Sequence, residues 1–261
     1  MYFKLLWNEF AILPEVEAVA LGGSRAGAGY DETSDYDLYI YCTSIPYESI
    51  RKRILEKYCQ YMEIGNSFWE LEDDCTLKDG VDIDILFRNI EDFAQTICSV
   101  VAEYTAYNGY TTCMWHNLLH SRILYDKNGK LASLQDHYRI PYPDKLRENI
   151  VTKNMRLLTG NLPSYDVQMK KAVARKDMVS VNHRTAAYLE SYFDIVFALN
   201  RLTHPGEKRM VQYAKEQAVI LPDDFEENLN RLFANLFVDL DKALQTLQEM
   251  TTNLENVIPH F

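Results

Sequence analysis

Leu21-Gly22-Gly23-Ser24-Arg25-Ala26 and, beyond Gly27 to Thr33, Ser34-Asp35-Tyr36-Asp37-Leu38-Tyr39 decide how the rest of this 261-residue chain is read. Val16 to Leu21 is an apolar stretch running straight into the glycine-rich residues 22–29, the pattern of a strand that ends in a tight loop. Asp35 and Asp37 flank Tyr36 at the entrance to a second apolar strand, Tyr36 to Cys42. Side chains alternate along a strand, so both carboxylates point to the same side. Two like charges held together call for a cation between them, and an all-oxygen set suits Mg²⁺ or Mn²⁺. Ahead of them, the small residues Gly23 and Ser24 let backbone N–H groups approach a phosphate, the Ser24 hydroxyl adds a donor and Arg25 adds charge.

A third β-type segment, Val81 to Phe87, carries Asp82 and Asp84 on one face, so an adjacent pairing would bring one of them beside the first two acids. Between the strands, Ile50, Ile54, Leu55, Tyr58 and Met62 recur at helical spacing, as do residues in the stretch from Glu91 to Tyr107. Ile123 to Asp126 reads as one more short strand. Beyond residue 140 the strand signals stop. Helical periodicity runs through 144–159, 165–180, 183–202, 206–218, 223–235 and 237–254, separated by Pro, Gly and Asn. Pro141-Tyr142-Pro143 cannot lie inside a helix and marks the boundary between an α/β domain at 1–140 and a helical bundle at 141–261.

A composition of 47% hydrophobic and 25% charged residues is that of a folded globular chain. The net charge of −11 is concentrated in residues 1–140, which hold 22 Asp and Glu against 12 Lys and Arg, a net of −10; residues 141–261 hold 16 against 15, a net of −1. A long nucleic acid needs a basic stripe, so none is expected as partner, and a small cationic ligand fits better. No apolar run approaches the ~18 residues of a membrane span, and the first residues lack the pattern of a secretory leader, which predicts a soluble, cytoplasmic protein. Cys42, Cys59, Cys75, Cys98 and Cys113 are odd in number and lack CxxC spacing, as expected of reduced thiols.

The segments 21–26 and 34–39 together resemble the signature of the polymerase-β-like nucleotidyltransferases. The layout, an α/β domain followed by helices, is most similar to the antibiotic nucleotidyltransferases acting on aminoglycosides or lincosamides and to the DUF4037-type proteins. The resemblance implies an α+β fold, a mixed sheet with flanking helices followed by a C-terminal helical bundle. It makes Asp35 and Asp37 the metal ligands and Gly23-Ser24 the triphosphate turn, with Arg25 and Ser34 beside it. A third carboxylate, Asp84 or alternatively Asp82, completes the metal site or takes the acceptor's proton. The implied chemistry is transfer of a nucleoside monophosphate, AMP from ATP, to a hydroxyl of a small and cationic acceptor such as an aminoglycoside, with Mg²⁺ or Mn²⁺ as cofactor. That would make the protein an antibiotic-resistance enzyme. A protein side chain as acceptor, in the manner of regulators and antitoxins of this superfamily, and a catalytically silent nucleotide sensor are the alternatives. Pro205 and Gly206 predict a helix start that puts Lys208 and Arg209 near free backbone donors, and Lys208 is the expected phosphate contact from the C-terminal half.

Other motifs read as structural. Residues 22–29 contain neither G-x-G-x-x-G nor a P-loop. His116 and His120 have i, i+4 spacing without the following Glu of a metalloprotease and are taken as packing or surface residues. Trp69 to Asp74 reads as a solvated acidic loop, with a negative lip for a cationic substrate as the functional alternative. Tyr188 to Phe197 reads as bundle core, and Lys170, Lys171, Arg175, Lys176, His183 and Arg184 as a solvated helix face.

Overall fold

The computed structural model describes residues 1–26, 34–68 and 70–258. The described chain divides into two compact units, one of residues 1–98 with 117–140 and one of residues 99–116 with 141–261. The first unit opens with α1 (Tyr2–Ala11), followed by β1 (Val16–Leu21), α2 (Gly23–Ala26), β2 (Tyr36–Cys42), α3 (Glu48–Tyr58), β3 (Cys59–Asn66), β4 (Glu72–Leu77) and β5 (Asp82–Asn89). Then come α4 (Ile90–Val101) and α5 (Cys113–His120), of which residues 99–101 and 113–116 belong to the second unit, and β6 (Arg122–Asp126) and α6 (Lys130–Tyr138).

The strands form one mixed sheet in the order β3-β4-β5-β2-β1-β6. Only β2 and β5 run parallel; the other described pairs are antiparallel. Alternation divides the sheet into two faces. Leu38 and Ile40 of β2, and Ile83, Ile85 and Phe87 of β5, turn to one face, where Leu6 and Phe10 of α1 and Ile54 and Leu55 of α3 cover them. Phe10 meets Phe87 edge-on at 5.7 Å. Each such side chain contributes about 1.5–3 kcal/mol when taken fully out of water. Asp37, Tyr39, Tyr41, Asp84 and Arg88 alternate with these residues and lie on the other face.

Several expectations are corrected in this unit. Leu6, Phe10 and Ala11 are buried along one stripe of α1, a helix the periodicity of the first residues carries although the sequence reading began at Val16. The helix through Ile50 and Leu55 stops at Tyr58, and Met62 lies in β3, because Cys59 turns extended. Glu72 to Asp74 belongs to β4 and is no loop; Trp69 lies outside the described residues. Three consecutive acids masked a period-two pattern in which Asp73, Cys75 and Leu77 are buried and Glu72, Asp74 and Thr76 are not. Asp73 sits on the core face, paired at 3.0 Å with the buried Arg51 of α3. The predicted helix at 91–107 ends at Val101.

The second unit contains α7 (Asp144–Leu158), α8 (Tyr165–Arg175), α9 (Met178–Leu199), α10 (Met210–Gln217), α11 (Phe225–Asn235) and α12 (Leu240–Val257). α9 is its centre: every residue from Ser191 to Leu199 is buried. Tyr192, Phe193 and Phe225 pack together, and the Tyr188 hydroxyl meets Thr251 Oγ1 at 3.0 Å. The aromatic run is bundle core, as its spacing implied. The break between α8 and α9 falls at Lys176, whose φ of 55° ends the first helix, while the Asp177 side chain caps the second by accepting from Ser180 N–H. Among the described residues no helix is long and apolar enough to cross a membrane.

Candidate active site

β1 delivers the chain to the edge of the carboxylate face, where Gly22 N–H donates to the Asp37 carbonyl oxygen at 2.8 Å. Gly23 then has φ +58°, and a Cβ built on it would overlap the Asp37 carboxylate; one built on Gly22 would overlap the Tyr39 ring. Glycine is required at 23 for both reasons, since L side chains avoid this φ and no room remains for one. Within the tight turn expected of residues 22–29 after β1 the chain forms the single helical turn α2, with Gly23 and Ser24 exposed at its start. Residues 27–29 of that stretch lie outside the described residues.

Asp37 pairs in register with Asp84 across the parallel strands β2 and β5. Asp74 of β4 pairs with Asp84 from the other side. In-register partners share a face, so Asp37, Asp84 and Asp74 form a row across three strands, with Asp35 two residues ahead of Asp37. Burial pushes the Asp84 carboxyl up to about 6, and the negative charges of Asp37, Asp74, Asp35 and Glu72 add to the shift. Asp82 lies at the exposed start of β5, where it accepts from the Thr76 hydroxyl at 2.7 Å. Asp84 is thus the acid aligned with Asp37, while Asp82 is one pleat further out. Glu72 and Asp74, which the sequence reading left in a loop, extend the acidic face.

Among the described residues no three His, Cys, Asp or Glu side chains are already gathered as a metal-binding group. The donor chemistry of Asp35, Asp37 and Asp84 nevertheless fits a hard divalent cation, since all are carboxylate oxygens from two adjacent strands.

Arg25, expected beside the triphosphate turn, follows Ser24 in α2. Its Nε donates to the Ser34 carbonyl oxygen at 2.6 Å, and its guanidinium stacks 4.2 Å from the Tyr36 ring centroid. Tyr36 also stacks on Phe3 of α1, on the face opposite the carboxylates. Ser34 and Arg25 together therefore hold the entry to β2. Lys208 is exposed in a turn of the second unit, and α10 begins only at Met210. The expected helix start at Pro205 fails because Gly206 and Arg209 both have positive φ, 101° and 58°. His116, expected to pack, bonds Thr203 Oγ1 through Nδ1 at 2.8 Å and meets the Tyr213 ring edge-on. Lys170, Lys171, Arg175 and Lys176 are exposed, and the five cysteines are free thiols.

The sequence reading also missed Arg88, Glu70 and Asn117, which line the same face beyond Tyr39. Asn117 follows the second-unit part of α5 by one position, and only the chain's return to the sheet brings it there.

Comparison with solved structures finds a nucleotidyltransferase-like protein from Exiguobacterium sibiricum 255-15, at 10% identity over 98% of this chain and 73% of that one, with a TM-score of 0.45. It also finds an aminoglycoside 6-adenyltransferase from Bacillus subtilis (12% identity, 97% and 89% of the two chains, TM-score 0.29). A third is the Thermotoga maritima CCA-adding enzyme complexed with tRNA (11% identity, 98% and 84%, TM-score 0.24). Superpositions this loose fix neither activity nor substrate. No curated protein matches the chain. Residues 110–210, from the turn before α5 to the start of α10, match the family model described as a domain of unknown function, DUF4037.

Proposed function

We propose that the protein is a metal-dependent nucleotidyltransferase that moves AMP from ATP to a hydroxyl of a small, positively charged acceptor. The observation that carries this reading is the alignment of Asp37 with Asp84 on one face of the sheet, with Gly23 pressed against the Asp37 carboxylate. Two glycines packed against the acid-bearing strand, followed by a serine, form a bend suited to holding a triphosphate beside carboxylates.

Asp35 and Asp37, with Asp84 completing the set, would hold Mg²⁺ or Mn²⁺, which when bound neutralises charge on the phosphates. Gly23 and Ser24 offer donors to the triphosphate. The acceptor hydroxyl oxygen bonds to the α-phosphorus as the bond to the bridging oxygen breaks and pyrophosphate leaves. Where Asp84 stays outside that set, it would take the hydroxyl proton instead. Positioning and charge neutralisation supply most of the rate. Glu72 and Asp74 extend the negative face and favour a cationic acceptor such as an aminoglycoside.

Incubation with ATP, Mg²⁺ or Mn²⁺ and a panel of hydroxylated amines tests the reading by mass spectrometry. An acceptor heavier by one AMP, with pyrophosphate released, is the expected result. Absence of any adduct across the panel, with ATP left intact, would overturn it, and a nucleotide-labelled protein band from lysate would move the acceptor to a protein side chain.

A further inference from the structure

Beyond the carboxylates, the same face carries a chain of polar contacts that ends at the glycine bend. Glu70 grips Arg88 with two bonds, Nε to Oε2 at 2.6 Å and Nη2 to Oε1 at 2.9 Å. This paired geometry fixes the guanidinium plane. Arg88 Nη1 donates to Asn117 Oδ1 at 2.7 Å, and the guanidinium lies 4.2 Å from the centroid of the Tyr39 ring and 5.1 Å from that of Phe93. Because Arg88 occupies the Asn117 carbonyl oxygen, the amide nitrogen is turned to Tyr39, donating to its hydroxyl at 2.7 Å. The Tyr39 ring, almost wholly buried, covers Gly22, where even a Cβ would overlap it, and its hydroxyl oxygen lies over the same glycine.

Direction matters here. Arg88 has no acceptor to offer, so Asn117 is locked in one orientation and the Tyr39 oxygen is locked as an acceptor on that side. Its own proton is directed elsewhere, on a hydroxyl that rests on the backbone of the bend. Gly22 N–H, bonded to Asp37, is the last ladder contact before that bend.

We infer that Tyr39 is a positioning residue for the Gly22–Ser24 bend, set in place by the Glu70–Arg88–Asn117 relay, and that this relay fixes how the bend presents its donors to a nucleotide triphosphate. The inference rests on the reading of that bend as the phosphate turn. Tyr39 holds both sides of the site, since it lies two residues along β2 from Asp37 and against the glycine that precedes Gly23.

Two substitutions separate the relay from general packing. Tyr39→Phe keeps the ring and loses the hydroxyl. Asn117→Asp keeps the acceptor for Arg88 but cannot donate, so the Tyr39 O–H must turn to donate to it. Hydrogen exchange of a peptide spanning residues 20–26 in the nucleotide-free protein is one readout, with an α12 peptide as control; affinity for Mn²⁺·ATP is the other. Both variants should exchange faster at 20–26 with α12 unchanged, and should bind Mn²⁺·ATP about five- to tenfold more weakly, the equivalent of one lost hydrogen bond. Unchanged exchange at 20–26 in both variants, whatever the melting temperature, overturns the positioning role. So does faster exchange with undiminished affinity. A wild-type protein that takes up no Mn²⁺·ATP would sink the functional reading instead, and the exchange data would then still decide whether the relay holds the bend.

Discussion

Asp37 and Asp84 stand opposite each other in register across the parallel strands β2 and β5, with Asp74 opposite Asp84 on the next strand. Asp82 and Asp84 share a face, so alternation alone does not choose between them; register does. Asp84 lies level with Asp37 and half-buried, while Asp82 is exposed at the strand end and bonded to Thr76.

This difference predicts the hierarchy of acid variants. Asp35→Asn, Asp37→Asn and Asp84→Asn should each lower turnover by roughly three orders of magnitude, the scale of losing a group that organises a divalent ion and a proton transfer. Asp82→Asn should stay within about threefold of wild type, since it removes only one exposed hydrogen bond. Steady-state pyrophosphate release measures all four, and equal losses for Asp82 and Asp84 would show that the register argument picks out nothing.

Gly23→Ala tests the bend directly. A φ of +58° costs an L residue about 1–2 kcal/mol, and the new methyl must also displace the Asp37 carboxylate. Thermal melting should fall by several degrees and Mn²⁺·ATP affinity by more than tenfold. A variant that melts lower yet binds nucleotide normally would separate the bend from the phosphates.

Asp84 gives a pH dependence whose sign is fixed. Its folded pKa of about 6 lies above the ordinary 3.8, so the folded state binds the proton more tightly. Its contribution to stability is full below pH 3.8 and is lost as pH rises through about 6. Asp84→Asn should flatten this part of the melting-temperature profile, and Mn²⁺ should raise the melting temperature more at pH 7.5 than at pH 5. Equal stabilisation at both values would place the ion elsewhere.

His204 gives the opposite slope in the second unit. Its ring is fully buried between Tyr110 and Phe197, Nδ1 accepts from Gly206 N–H at 3.2 Å, and Nε2 has no hydrogen-bond partner among the described residues. Burial, helped by His116, lowers its pKa to about 3. The unfolded chain therefore takes up the proton first, and this contribution to stability, complete above about 6.5, is lost as pH falls toward 3. Melting curves between pH 7 and 4 should show the loss in wild type and a shallower slope in His204→Phe.

Asp73 and Arg51 supply a stability test on the core face. Asp73→Ala leaves the buried guanidinium without its carboxylate and should cost about 3–5 kcal/mol in denaturant unfolding. Replacing both, as Arg51→Met with Asp73→Leu, should recover most of it, because the pair's desolvation cost disappears with its attraction.

The local pattern made β1, β2, β5 and β6 legible, along with the glycine bend between the first two, because alternation and turn chemistry act over a few residues. β4 was not, since Glu72-Asp73-Asp74 looks solvated until Asp73 is seen to turn inward to Arg51. Lys208 and Arg209 were put in a helix by Pro205 and Gly206, but the positive φ of Gly206 and Arg209 delays that helix to Met210.

The amino-acid order by itself determined that a serine-bearing glycine bend precedes two acids two residues apart, and that a second strand carries two more, because these are matters of spacing and side-chain alternation. Which of those acids meets Asp37, that Asp74 joins the row, and that Glu70, Arg88 and Asn117 converge on Tyr39 were decided only by tertiary structure. Strand register and the return of α5 to the sheet join residues up to 78 positions apart, and such pairings are set by which buried faces pack together, which no local window contains.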